Sequence, residues 1–318
     1  MIPEQRLTMP DAATDMELAQ FVSALERDDE SALSILRKSL DESARVAPRI
    51  GITGAAGAGK SSLIAAMMRS CLNESRSGVI AVDPSSVDTG GAMLGDRVRF
   101  YDGGEYGIEP DVNMFLRSVG SRGWPGALAR HVGVTATLFE QAGLSPIILE
   151  TSGAGQTDVG VRDLVDCLIV VLTPDSGDSI QMLKAGLLEW ADIFVVNKAD
   201  RAGSKAFAAQ LRAAILARSD VRSDKSTKRH IHLVEATRGP NDELRNIISS
   251  ATAIANAKRV SRQVLWERAV SSLMEEKLTR AILAAARNSS AWRDSVQECA
   301  YGTGNIAHTV ARYQLESI

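Results

Sequence analysis

Residues 49–62 read Arg-Ile-Gly-Ile-Thr-Gly-Ala-Ala-Gly-Ala-Gly-Lys-Ser-Ser, and this stretch decides the fold. Arg49-Ile50-Gly51-Ile52-Thr53 suits a short strand, and Leu63-Ile64-Ala65-Ala66-Met67-Met68 reads as helix. Between them Gly54, Gly59, Lys60 and Ser61 satisfy G-x-x-x-x-G-K-[ST], in the strand–loop–helix context that gives the pattern its physical meaning. Glycines let the backbone curl so that successive N–H groups point inward at phosphate oxygens. The helix N-terminus adds unpaired donors and the positive end of the helix dipole. The loop Gly54-Ala55-Ala56-Gly57-Ala58-Gly59-Lys60-Ser61-Ser62 is therefore read as a phosphate cradle. Lys60 is expected to reach the β- and γ-phosphates, and the Ser61 hydroxyl to ligate Mg²⁺.

Working outward, buried strands alternate with helices. Gly78 to Val82 is an apolar run that ends in Asp83-Pro84-Ser85-Ser86. A carboxylate there lies on the ligand edge of a parallel sheet. The polar, glycine-rich segment 87–130 is too long for a structureless loop, so a strand is expected near Val112–Arg117 and a helix from about Ala127 to Ala142. Pro146-Ile147-Ile148-Leu149 is the next strand, leading into Glu150-Thr151-Ser152-Gly153-Ala154-Gly155-Gln156. A carboxylate leaving a buried strand, with a glycine three residues on, has the form of a Walker B acid running into a switch. Glu150 would hold Mg²⁺ through water, and the Gly153 N–H would sense the γ-phosphate. Strands over 166–172, 192–196 and 231–234, with helices over 180–189 and 205–218, complete an α/β pattern: a doubly wound, mostly parallel sheet.

Asn197-Lys198-Ala199-Asp200 follows a buried strand and names the base. The Asp200 carboxylate can accept from guanine N1–H and the 2-amino group; adenine offers neither donor. Asn197 can bond the base and brace the phosphate loop, and the Lys198 stem can lie over the ring. Glu235-Ala236-Thr237 stands where a loop amide would meet guanine O6. The expected ligand is GTP rather than ATP.

The flanks are helical. Leu18, Phe21, Val22 and Leu25, then Leu33, Leu36 and Leu40, mark a hairpin whose second helix Asp28 or Asp29 would cap. Beyond Asn241 come Leu244, Ile247 and Ile248, then a stripe through Trp266, Val270, Leu273, Met274, Lys277, Leu278 and Ile282. That stripe either packs on its own domain or meets another subunit. The expected division is a helical segment over 1–47, a nucleotide-binding domain over 48–240 and a helical extension over 241–318.

Composition limits the alternatives. The chain has 318 residues, a net charge of −3 and 4% aromatics, with no basic excess that would suggest nucleic acid. Cys71, Cys167 and Cys299 are far apart and read as reduced, buried thiols. No apolar run is long enough to span a bilayer and residues 1–15 lack a signal core, so a soluble cytoplasmic protein is expected.

Several ordered stretches resemble the MeaB/ArgK/MMAA-type GTPases, metallochaperones of adenosylcobalamin-dependent acyl-CoA mutases. They are residues 51–62, 81–86 (A-V-D-P-S-S), 89–99 (T-G-G-A-M-L-G-D-R-V-R), 115–123 (F-L-R-S-V-G-S-R-G), 150–158 (E-T-S-G-A-G-Q-T-D), 175–186 (D-S-G-D-S-I-Q-M-L-K-A-G) and 196–200 (V-N-K-A-D). The resemblance covers roughly residues 18–240. It implies a P-loop NTPase of SIMIBI-like type, homodimeric through C-terminal helices. It implies slow GTP hydrolysis that a mutase accelerates, with cobalamin reaching the protein only through that partner. By position it implies Ser61, Asp83, Asp96 and Glu150 at the metal site, and Lys60, Asp96, Glu150 and Gln156 as the catalytic set. The segment with Asp178, Gln181 and Lys184 resembles the switch that senses the mutase. Glu235-Ala236-Thr237 departs from the usual Ser-Ala-x, Ser152 stands where Val is common, and Tyr101–Pro110 is richer in glycine than the family's connection. Three other classes fit a P-loop: a metal-insertion GTPase, for which His230 and His232 are the only close histidine pair, a kinase, for which no acceptor motif stands out, and a bare regulatory GTPase, against which the long middle segment argues only weakly.

Overall fold

The computed structural model describes residues 14–27, 29–42, 46–71, 75–83, 113–120, 132–151, 162–174, 190–219, 230–258 and 264. The chain divides into two compact units, Met1–Ala269 and Val270–Ile318, and all described residues lie in the first.

Two helices come first, α1 (Asp15–Glu26) and α2 (Glu30–Glu42). Each begins on a side-chain cap. Thr14 Oγ1 accepts from Glu17 N at 3.3 Å while Glu17 Oε2 accepts from Thr14 N at 2.9 Å. Asp29 Oδ1 accepts from Ser31 N at 2.9 Å and Ala32 N at 3.2 Å, so of the two expected caps Asp29 serves. Leu18, Phe21, Val22, Leu25 and Leu36 are buried as their spacing requires; Ala32 is buried while Leu33 is half-buried. Arg117 reaches back from the sheet to Glu26 at 2.7 Å, and Arg76 pairs with Asp15, which ties the hairpin to the domain.

Among the described residues seven strands form one sheet: β1 (Arg49–Gly54), β2 (Ser77–Asp83), β3 (Met114–Gly120), β4 (Ile147–Glu150), β5 (Cys167–Leu172), β6 (Ile193–Val196) and β7 (His230–Leu233). The order is β3-β2-β4-β1-β5-β6-β7, and every neighbouring pair is parallel. The strand expected near 112–117 lies at 114–120, on the edge beside β2. The chain leaves β1 toward β2 and β3, returns to β4, then crosses to β5 on the other side of β1. That reversal opens a crevice at the C-terminal end of β1, where α/β sheets bind ligands.

Helices α3 (Lys60–Ser70), α4 (Val132–Gln141), α5 (Ser204–Ser219) and α6 (Asp242–Lys258) complete the described fold. One sheet face packs Ile50, Ile52, Ile148, Ile169 and Val171 against Leu63, Ile64 and Met67 of α3. The same cluster takes in Leu244, Ile247, Ile248, Ala251 and Ala255 of α6. The helix after Asn241 thus builds the core of the nucleotide domain; the Trp266–Ile282 stripe and the expected helix over 180–189 lie outside the described residues.

The opposite face buries α4 completely. Arg49, fully buried on β1, holds Glu140 of α4 through two parallel bonds, Nε to Oε1 at 2.9 Å and Nη2 to Oε2 at 2.8 Å. Thr137 Oγ1 accepts a third at 2.8 Å. A fork-to-carboxylate pair with added hydrogen bonds is the geometry in which a buried ion pair can offset its desolvation. At the N-terminal ends of the strands two carboxylates continue the ladder. Asp166 Oδ2 accepts from Arg49 N at 2.9 Å, and Asp192 Oδ2 from Leu168 N at 3.0 Å. Lys258, the last residue of α6, pairs with Asp192. Cys167 sits between these acids; burial first, then the Asp192 charge, pushes its thiol well above the ordinary range and keeps it protonated.

Candidate functional site: the phosphate loop and base loop

The phosphate loop leaves β1 at the sheet's centre, and its shape depends on two glycines. At Gly54 a Cβ would lie 2.3 Å from the Val171 carbonyl oxygen of β5, so only glycine lets the strand run this close to its neighbour. Gly59 caps α3 with φ 86°, and a Cβ there would lie 2.4 Å from Asn197 Nδ2. Lys60, buried, donates from Nζ to Gly54 O at 3.0 Å and Ala55 O at 3.1 Å, which places its ammonium in the mouth of the loop. Ala56, Gly57 and Ser62 are exposed along the rim, and Ala55 and Ala58 are buried.

Ser61, at the first turn of α3, donates from Oγ to Glu150 Oε1 at 2.6 Å. Glu150 ends β4 and is buried, with Ile52 of β1 opposite it in the ladder. The sheet therefore brings the sequence's hydroxyl and Walker B acid into contact across 89 residues. A hydroxyl and a carboxylate are hard oxygen donors, the chemistry Mg²⁺ takes. Asp83 ends β2 on the same sheet edge. Its side chain lies outside the described features, as do Asp96, Gly153, Gln156, Asp178, Gln181 and Lys184.

The N-K-A-D segment is joined to the phosphate loop through the side chains of Asn197 and Lys198. Asn197 is buried; its Nδ2 donates to Ala58 O at 2.9 Å, and its Oδ1 accepts from Lys198 N at 2.8 Å and Ala236 N at 3.2 Å. It thereby holds the phosphate loop, its own turn and the Glu235-Ala236-Thr237 segment, where a short 3₁₀ turn spans Ala236–Arg238. Lys198 sits at φ 58°, unusual for a residue with a side chain, and its Nζ donates to Gly57 O at 2.9 Å. Ala199 N donates to Val234 O at 3.0 Å, which closes the turn against the end of β7. Asp200 is exposed beside it, Glu235 half-buried and Thr237 exposed. The sequence suggested that Asn197 braces the phosphate loop. It gave no sign that the same amide also engages the Ala236 backbone, nor that Lys198 bonds Gly57, because both depend on where β6 and β7 end relative to β1.

His230 and His232 alternate on β7 as expected. Their rings stack with centroids 6.2 Å apart, and His232 Nδ1 lies 2.7 Å from Glu243 Oε1 on α6. Among the described residues no group of three or more His, Cys, Asp or Glu is placed to hold a metal. Among them, too, no helix is long and apolar enough to cross a membrane.

A parallel sheet with a glycine loop entering a helix, a Walker B acid facing that helix and an N-K-A-D turn at the next edge defines a P-loop NTPase fold. Residues 18–292 match the family described as methylmalonyl Co-A mutase-associated GTPase MeaB, and the chain belongs to that family. It is 40% identical over 210 residues to a Pyrococcus abyssi protein provisionally named a GTPase, covering 65% of this chain and 61% of the relative. It is also 40% identical over 153 residues to the GTPase ArgK of Escherichia coli, covering 48% and 45% of the two chains. It is 36% identical over 153 residues to the mouse methylmalonic aciduria type A homolog, mitochondrial, covering 48% and 36%. The matched stretches thus span between about a third and three fifths of those relatives' lengths. The crystal structure of an LAO/AO transport system kinase shares the fold, with a TM-score of 0.62 at 24% identity over 99% of this chain and 98% of that one.

The two glycines give separable expectations. Gly54→Ala, clashing with backbone, should cost about 3 kcal/mol of stability, read as a lowered denaturation midpoint. Gly59→Ala strains a left-handed position and displaces the Asn197 amide, so beside its own loss of stability it should bind nucleotide at least about tenfold more weakly. Equal stability losses with unchanged binding would contradict this assignment.

Proposed function

We propose that this protein is a GTP-hydrolysing chaperone that gates adenosylcobalamin loading, and the protection or reactivation, of a partner acyl-CoA mutase. The nucleotide half of this reading is carried by Asn197, whose side chain holds the phosphate loop and the base segment together as one site. The partner half is supported by membership of the mutase-associated family.

In this reading the loop amides from Gly54 to Ser62 and the Lys60 ammonium bind the β- and γ-phosphates. Ser61 and Glu150 would hold Mg²⁺, which when bound neutralises phosphate charge. Asp83 and Asp96 are assigned to the same metal site, and Asp96 and Gln156 to the catalytic set with Lys60 and Glu150. Gly153 follows the γ-phosphate as the switch re-orders. Asp200 accepts from guanine, Lys198 lies along the base, and Glu235, Ala236 and Thr237 frame its far edge. A backbone N–H of that segment meets guanine O6. Asp178, Gln181 and Lys184 sense the mutase, and cobalamin comes to this chain only through that partner. The segment 241–318 anchors through α6 and pairs two copies through the residues that follow. The protein acts in the cytoplasm, on neither nucleic acid nor membrane.

Two measurements test the reading. Asp200→Asn should weaken GDP binding by about 30-fold or more in calorimetry, as two bonds to an ionised acceptor are lost, and leave ADP binding weak in both forms. Equal GDP and ADP affinity in the unaltered protein would sink the guanine assignment. Adding an adenosylcobalamin-dependent acyl-CoA mutase from the same organism should raise GTP turnover, with free phosphate as product and no phosphorylated acceptor. A mutase that neither binds nor changes turnover would remove the chaperone role.

A further inference from the structure

On the sheet face opposite Ser61 and Glu150 lies a contact that the nucleotide site does not use. Thr151 donates from Oγ1 to Thr53 Oγ1 at 3.1 Å, and both residues are buried, at 1% and 0% exposure. Their placement follows from the pleat. Ile52 stands opposite Glu150 in the parallel β1–β4 ladder, and Thr151 N donates to Ile52 O at 3.0 Å, extending the pairing one residue past β4. Side chains alternate between sheet faces, so Glu150 points to α3 and its neighbours Thr53 and Thr151 point away.

The two threonines mark two exits from the sheet. Thr53 directly precedes Gly54 and the phosphate loop; Thr151 directly follows Glu150 and precedes the glycine-rich segment 152–161. Valine would fill either place with almost the same volume and no polar atom. Two buried hydroxyls that face each other therefore contribute direction, since a hydroxyl bond fixes an orientation that methyl contacts do not. With Glu150 bonded to Ser61 on one face and Thr151 bonded to Thr53 on the other, the end of β4 is fixed from both sides.

We infer that Thr53 and Thr151 are positioning residues for the divalent-cation site: their hydroxyl bond sets the Glu150 carboxylate against the Ser61 hydroxyl. This rests on the reading of Ser61 and Glu150 as the Mg²⁺ residues. Neither threonine touches ligand; both act through Glu150.

The test uses the full chain and a fluorescent, non-hydrolysable GTP analogue, titrated with Mg²⁺ and separately in EDTA. Thr151→Val should raise the Mg²⁺ concentration for half-maximal analogue binding about tenfold, the factor expected for one lost buried hydroxyl bond, and Thr53→Val should do the same. Thr151→Ser, which keeps the hydroxyl, should stay within about twofold of the unaltered protein. Affinity in EDTA should not change in any variant. A Mg²⁺ midpoint unmoved in both valine variants overturns the inference. So does a fall in EDTA affinity by the same factor, which would mark a general structural role. An unaltered protein whose analogue binding ignores Mg²⁺ would overturn the metal-site reading itself and the inference with it.

Discussion

The junction between the phosphate loop and the N-K-A-D turn depends on the Asn197 side-chain amide. One carboxamide gives one donor group to the phosphate loop and one acceptor to two backbone amides, and it is buried while doing so. A buried amide left unpaired costs about 1–3 kcal/mol per group, so the three contacts stand or fall together. The consequence is geometric. The phosphate loop and the N-K-A-D turn are far apart in the sequence, Ala58 and Asn197 being 139 residues apart, yet they share one junction. Gly59 belongs to the same constraint, because Asn197 Nδ2 occupies the space where a side chain at 59 would stand. Lys198 reinforces the junction from the solvent side through Gly57.

The rest of the sheet keeps that junction in register. β1 is central, held by β4 and β5, and its first residue is fixed twice over. The Arg49 guanidinium is locked to Glu140, and its backbone N–H to Asp166. At the opposite end of β1 the chain enters the phosphate loop, with Gly54 pressed against Val171. The P-loop helix α3 is also tied at its far end, where Arg245 Nε of α6 donates to the Ser70 carbonyl at 2.9 Å. That bond satisfies one of the carbonyls a helix C-terminus leaves open. Helix α6 thus touches the C-terminal end of α3, the core beneath β1 and, through Lys258, the start of β6.

Much of this was legible in the sequence. Strand runs such as Leu168–Leu172 and Ile193–Val196 are apolar without interruption, which only a sheet covered on both faces tolerates, and the parallel arrangement followed. Glycine loop, Glu150 and N-K-A-D each follow a buried strand, so their convergence on one edge could be read from the alternation alone. What could not be read was anything set by register between distant strands. The Arg49–Glu140 pair joins residues 91 apart, and an arginine opening a strand looks like a surface residue until α4 covers it. The Thr53–Thr151 bond and the Ala236 contact of Asn197 are likewise decided by which strand ends one residue further on. The packing of α6 into the core was left open by its sequence, since Leu244, Ile247 and Ile248 would suit a subunit interface equally well.

The central claim is that Asn197 makes the phosphate loop and the base segment one site, and a ligand without a base isolates it. Inorganic pyrophosphate, competed against a fluorescent nucleotide with Mg²⁺ present, should bind Asn197→Ala about tenfold more weakly than the unaltered protein, because Ala58 loses its brace. Unchanged pyrophosphate affinity beside a loss of GDP binding would show that Asn197 serves the base alone, and would contradict the account.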